Sequence, residues 1–201
     1  MARFLASILV LSLATALWAQ LAPSSRPPAR AKSSIPEPGA ISDGVYHNRG
    51  FGFSYKLPFG WVDRTHDMQD DSADASKSRL LLAIFERPPE ATGDTINSAV
   101  VIAAEPLFGG IKTAAEYYES LAGLTTAKGF QTVEEPHGFS LGTARLVRGD
   151  FSKARGTLTM HQTSLAMLEK GYAISFTFIG GSPDEVNELI EKLSFASRKP
   201  H

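Results

Sequence analysis

The stretch FGFSYKLPFGW, residues 51–61, carries a large apolar side chain at every odd position: Phe51, Phe53, Tyr55, Leu57, Phe59 and Trp61. Gly52, Ser54, Lys56, Pro58 and Gly60 fill the even positions. A period of two marks a strand with one face on a core and the other in water. Burying each such side chain is worth roughly 1.5–3 kcal/mol, against a total domain stability of roughly 5–15 kcal/mol. Phe51 to Leu57 is therefore assigned to the core. A platform that stacks bases or sugars needs cations among exposed rings, and here the polar residues occupy the opposite face. Pro58 cannot donate to a ladder and ends the strand. Beyond it the phase is free to break, so Phe59 and Trp61 are open to a core contact or to a place on a pocket or partner surface.

Outward from this strand the pattern becomes regular. Val45–His47 reads as a preceding strand, joined through a turn at Asn48-Arg49-Gly50, since Asn and Gly tolerate positive φ. Residues 63–77, DRTHDMQDDSADASK, are polar, acidic and aperiodic, which is the signature of a loop. Leu80–Glu86 and Ser98–Glu105 are apolar strands. The second has bulk on both faces, as expected of a central strand. Thr113 and Glu116 form a capping box that starts a helix. Tyr117, Tyr118, Leu121 and Leu124 make its apolar stripe, and Gly129 stops it. Four strands follow at Phe130–Glu134, Thr143–Phe151, Thr157–Leu168 and Tyr172–Ile179. Glu169-Lys170-Gly171 suits a three-residue hairpin with Gly171 left-handed. Ser182, Pro183 and Glu185 open a last helix with a second capping box, and Val186, Leu189, Ile190 and Leu193 are its buried face. Strands, a helix, antiparallel strands and a closing helix define an α+β fold, an antiparallel sheet packed by helices.

The N-terminal residues have a different character. Residues 1–19 combine Arg3 with an apolar run and small residues before Gln20, the pattern of a secretory signal peptide. The run is shorter than the roughly 20 residues of a spanning helix, so cleavage and export are expected, with an uncleaved inner-membrane tether as the alternative. Residues 20–43 are rich in proline and poor in large apolar side chains, as in a flexible linker. The folded domain is then 44–197, with a tail at 198–201.

Composition excludes several function classes. The net charge is −1, with 20 Lys+Arg against 21 Asp+Glu and no cationic cluster, which argues against nucleic acid as a partner. The absence of cysteine removes disulfides, thiolate metal sites, a cysteine nucleophile and a lipoprotein anchor.

Tyr46-His47-Asn48, Phe51-Gly52-Phe53-Ser54-Tyr55 and Leu57-Pro58-Phe59-Gly60-Trp61 together resemble the opening of PsbP-like domains, the extrinsic photosystem proteins and their bacterial relatives. The same fold occurs in a Ran-binding nuclear import factor. The resemblance spans about residues 44–196 as a pattern and is specific only in its first part. It implies an α/β/α sandwich with a central antiparallel sheet flanked by helices. It also implies action by docking or assembly, with no shared catalytic residues. The leader resembles a bacterial export signal, which sets this chain apart from the chloroplast members.

No chemistry-bearing constellation competes with that expectation. There is no G-x-S-x-G elbow, and Ser54 reads as a surface residue. The five histidines (His47, His66, His137, His161 and His201) form no metal-binding spacing. Asp67, Asp70, Asp71 and Asp74, with Asp63 and His66, are weak candidates for a hard cation, because the EF-hand order is absent. Glu86, Glu134 and Glu135 are not paired in any pattern that glycoside hydrolysis requires. Gly109-Gly110 and Gly180-Gly181 read as turns, the latter with room for an anion at the helix start. The expectation is an exported, monomeric, non-enzymatic domain without a cofactor, binding a protein partner in the cell envelope or assisting assembly of an envelope complex. The alternative is a periplasmic module that binds a small ligand or a divalent cation.

Overall fold

The computed structural model describes residues 38–69 and 78–196. The expected leader, residues 20–37 of the expected linker, Asp70, Asp71, Asp74, the tail and His201 lie outside the described residues. In chain order the elements are β1 (Ala40–Ser42), β2 (Val45–Asn48), β3 (Phe53–Lys56), β4 (Val62–Asp63), α1 (Thr65–Met68), β5 (Arg79–Phe85) and β6 (Ala99–Pro106). Then come α2 (Ala114–Ala127), β7 (Gln131–Leu141), β8 (Ala144–Arg155), β9 (Leu158–Glu169), β10 (Tyr172–Gly180), α3 (Pro183–Ile190) and β11 (Leu193–Phe195). The result is a sheet-dominated α+β fold.

The strands form a four-stranded sheet, β1-β2-β3-β11, and a seven-stranded sheet, β4-β5-β6-β10-β9-β8-β7. Every pairing is antiparallel. The small sheet is a departure from the single sheet expected. Its register sets Tyr46, Tyr55 and Leu193 in one row and Asn48, Phe53 and Phe195 in the next. Those residues face inward. Phe53 lies edge-on to Phe176 of the large sheet at 5.2 Å, and Tyr55 lies 6.3 Å from Phe178.

Residues 51–57 behave as the alternation requires: Phe51, Phe53 and Tyr55 are buried and Leu57 packs against the same cluster. The core they join includes Ile102, Leu165, Ile174, Phe176 and Phe178 of the large sheet and Val186, Leu189 and Ile190 of α3. The Tyr55 hydroxyl donates to the Leu189 carbonyl at 3.1 Å, tying the small sheet to α3. A second core cluster joins Tyr117 and Tyr118 of α2 to Phe151, Ala166 and Ala173. Ala173 and Ile174 are neighbours on β10 yet belong to different clusters, as the pleat dictates.

Local signals decided several boundaries. Thr113 accepts from the Glu116 N–H while the Glu116 side chain reaches back, so the first capping box is complete. Gly129 follows the helix at φ 85°. The stripe is rotated from expectation: Thr125 is buried and Leu124 is exposed. At α3, Ser182 caps the Glu185 N–H, but Glu185 accepts from Gly181 N–H at 2.8 Å, one residue outside a capping box. The helix ends at Ile190, and Leu193 serves β11. Ala40–Ser42, read as linker, is a strand paired with β2 through the Asp43-Gly44 turn. Both turn residues have positive φ, which suits a two-residue hairpin. Lys170-Gly171 is another such turn, two residues long rather than three, because Glu169 pairs with Tyr172. In the β2–β3 connection the positive φ falls at Gly52, not at Asn48 or Gly50. The Asn48 side chain instead accepts from the Phe51 N–H at 2.9 Å.

Candidate functional site

The chain leaves β3 at Lys56 and turns sharply. The Trp61 N–H donates to the Pro58 carbonyl at 3.4 Å, and Gly60 adopts φ 81°. Glycine takes that conformation without Cβ strain. The turn breaks the two-residue phase. Phe59 stands fully in water at 105% relative exposure, while Trp61 is half-buried and packs on the main core. The two residues singled out together thus occupy different environments: Trp61 anchors the turn and Phe59 is its tip. Behind the turn, the Leu57 N–H donates to the Gly44 carbonyl at 2.8 Å. An exposed ring of this size is held on a fixed base.

The next segment is more ordered than its composition suggests. Val62–Asp63 pairs with β5, and Thr65–Met68 makes a helical turn. The Asp63 carboxylate accepts from the Thr65 N–H at 2.9 Å and from its hydroxyl at 2.6 Å. The same hydroxyl accepts from the Ala83 N–H at 2.9 Å. Asp67 pairs with Arg64 at 3.0 Å. These carboxylates are engaged in holding the turn, which sets them apart from a free cation shell. Among the described residues no group of three His, Asp or Glu is placed to hold a metal ion.

A polar cluster not foreseen in the sequence lies on β8. Arg148 donates to both Asp150 oxygens at 2.9 Å and to the Asn187 side chain of α3 at 3.0 Å. Thr163 donates to Asp150 from β9. The Arg148 guanidinium lies 5.4 Å from the centre of the Phe139 ring. Burial alone raises the Asp150 carboxyl, but the bonds from Arg148 and Thr163 outweigh it and hold the group below its usual range. His161 and Glu134 line the adjoining cavity of about 180 Å³. The Asp150 oxygens are spent on these donors, so the cluster works as a clamp between sheet and α3. The one sequence signal for it was the i, i+2 placement of Arg148 and Asp150 on a single strand face.

The other chemistry-bearing residues are scattered. His47 is exposed on the small sheet, and His137 lies 3.5 Å from Glu134. The Ser54 hydroxyl faces that of Ser194 at 2.9 Å. At Gly180-Gly181 the helix start is filled by the chain's own Glu185 carboxylate, which also accepts from the Ser98 hydroxyl.

No family model and no curated protein matches the sequence. Among solved structures the chain is similar to cyanobacterial PsbP (CyanoP) from Synechocystis sp. The identity is 12%, covering 80% of this chain and 98% of that one, with a TM-score of 0.49. It is also similar to LpqN of Mycobacterium tuberculosis, described as involved in cell envelope biogenesis, at 16% identity, 72% and 83% coverage and a TM-score of 0.43. A Pseudomonas aeruginosa protein of unknown function, described as a putative regulator, matches at 12% identity over 70% of this chain and 99% of that one, with a TM-score of 0.40. The similar structures thus include a member of the PsbP-like group that residues 46–61 resemble. No helix among the described residues is long and apolar enough to cross a membrane.

Proposed function

We propose that this chain is an exported, non-enzymatic PsbP-like domain, an α/β/α sandwich in plan, that docks a protein of the cell envelope through the Phe59 turn. The observation that carries the reading is the full exposure of Phe59 on a turn braced by Trp61. Large aromatics dominate interface hot spots because they bury much area with few rotatable bonds. A backbone turn already held in place needs less ordering on binding. Downstream of that turn, Asp63 and Asp67 are engaged with Thr65 and Arg64. The sequence resemblance to PsbP-like domains adds docking or assembly as the expected mode of action, and fold alone does not fix function.

The test is quantitative capture from envelope extract of the producing cell with wild-type protein and with Phe59→Ser. The reading expects a reproducible set of proteins retained by wild type and lost with the variant, at unchanged thermal stability. Equal recovery by both proteins would remove Phe59 as the docking residue.

A further inference from the structure

Three turns meet at the end of the fold where β3 begins, and each contributes a cation. Arg49 comes from the β2–β3 connection and Lys170 from the β9–β10 turn. Arg145 sits just after the turn between β7 and β8. All three are exposed and line one cleft of about 650 Å³, inside the roughly 300–1,000 Å³ range of small-molecule sites. One carboxylate, Glu169, shares the lining. The rest of the wall mixes polar surface, including Thr143, with apolar side chains. Phe51 and Met167 are buried in the core beneath it, and Leu168 and Phe195 are half-buried.

The chain as a whole has a net charge of −1, so this concentration of positive charge is local to the cleft. Lys170 donates to the Gly50 carbonyl and Arg145 to the Ser140 hydroxyl. Lysine carries three N–H donors and arginine five, so one such bond does not exhaust either side chain. A neighbouring cleft of about 690 Å³ shares Arg49, Gly52, Phe195 and Ala196, but the small sheet gives it Ser42, His47, Ser54 and Ser194 in place of the other two cations. Of these two clefts, the first brings all three cations together beside apolar side chains.

We propose that this cleft binds an amphiphilic organic anion. Its apolar body lies on Phe51, Met167 and Phe195, and its anionic head lies among Arg49, Arg145 and Lys170. The apolar body gains from leaving water, and the head gains charge-assisted hydrogen bonds. The site is at the opposite end of β3 from Phe59, so it is independent of the docking reading.

The test is isothermal titration of the full chain with decanoate below its micelle concentration, with acetate and 1-decanol as controls. Decanoate is expected to bind saturably, and both controls at least about tenfold more weakly. Replacing Arg49→Ser, Arg145→Ser and Lys170→Asn together is expected to weaken decanoate about tenfold. Asn suits the left-handed φ of 51° at position 170. Circular dichroism checks the fold of the triple variant. Should the variant fail to fold, wild-type binding at ~0.02 M and ~0.5 M salt takes its place, with weakening of several-fold expected from screening. Absence of saturable binding overturns the proposal, as does decanoate binding indifferent to the three substitutions or to salt. Decanol binding as tightly as decanoate overturns the cationic rim, and acetate binding as tightly overturns the apolar floor.

Discussion

The Tyr118 hydroxyl on α2 donates to the Gly149 carbonyl on β8 at 3.2 Å, and a Cβ added at Gly149 would overlap that same hydroxyl. Helix and strand therefore meet with no room for a methyl group. Burial also pushes the Tyr118 hydroxyl well above the usual tyrosine range, keeping it a neutral donor. Gly149→Ala is expected to cost about 1–3 kcal/mol by overpacking, read as a lower urea midpoint at unchanged slope. Tyr118→Phe removes the overlapping oxygen, so the double variant should be less destabilised than the sum of the singles. Strict additivity would show that the two groups do not share this contact.

The row of rings gives the second prediction. Phe53 is buried and lies within aromatic contact of Tyr46, Phe176 and Phe195. Phe53→Ala is expected to cost about 3–5 kcal/mol, the range for deleting a buried ring. Phe59→Ser, two strand steps past Tyr55 in the same alternation, should change stability by less than about 0.5 kcal/mol. Chemical denaturation of both variants side by side is the check.

The Arg148–Asp150 clamp makes stability depend on pH with a definite sign. The folded carboxyl of Asp150 lies below its ordinary value. Its stabilisation is therefore complete above the unfolded pKa of about 3.9 and is lost as pH falls through the folded value. Asp150→Asn is expected to cost about 1–3 kcal/mol at neutral pH, the worth of hydrogen bonds to a charged group. The difference between wild type and variant should shrink on acidification below about pH 4. Thermal melts from neutral to acid pH measure it, and a difference that grows on acidification would contradict the clamp.

The lengths of the elements explain what could be read from the sequence. Residues 51–57 declared their inward face because several alternating rings leave one consistent solution, and the Thr113 box and Gly129 marked α2 by local chemistry. β1 and β11 escaped because three residues carry no period. Ala40–Ser42 sits at the end of a proline-rich run, and Leu193 falls at helical spacing from Leu189. Leu124 faced water because the buried stripe runs through Tyr118, Leu121 and Thr125, and Leu124 lies about 100° round the helix from Thr125. The Arg148 cluster was hidden for another reason: Thr163 and Asn187, which complete it, lie on other elements and are joined to it only by the sheet register and by α3. Phe59 remained open until the positive φ of Gly60 showed where the alternation ends.

The docking role of Phe59 is tested most directly by placing p-benzoylphenylalanine at position 59, and separately at Lys56 as a control, then irradiating the protein in envelope extract. The account predicts one discrete crosslinked species at position 59, suppressed by excess wild-type protein but not by excess Phe59→Ser, and none at position 56. No crosslink at 59, or one that the Phe59→Ser competitor suppresses equally well, would contradict it.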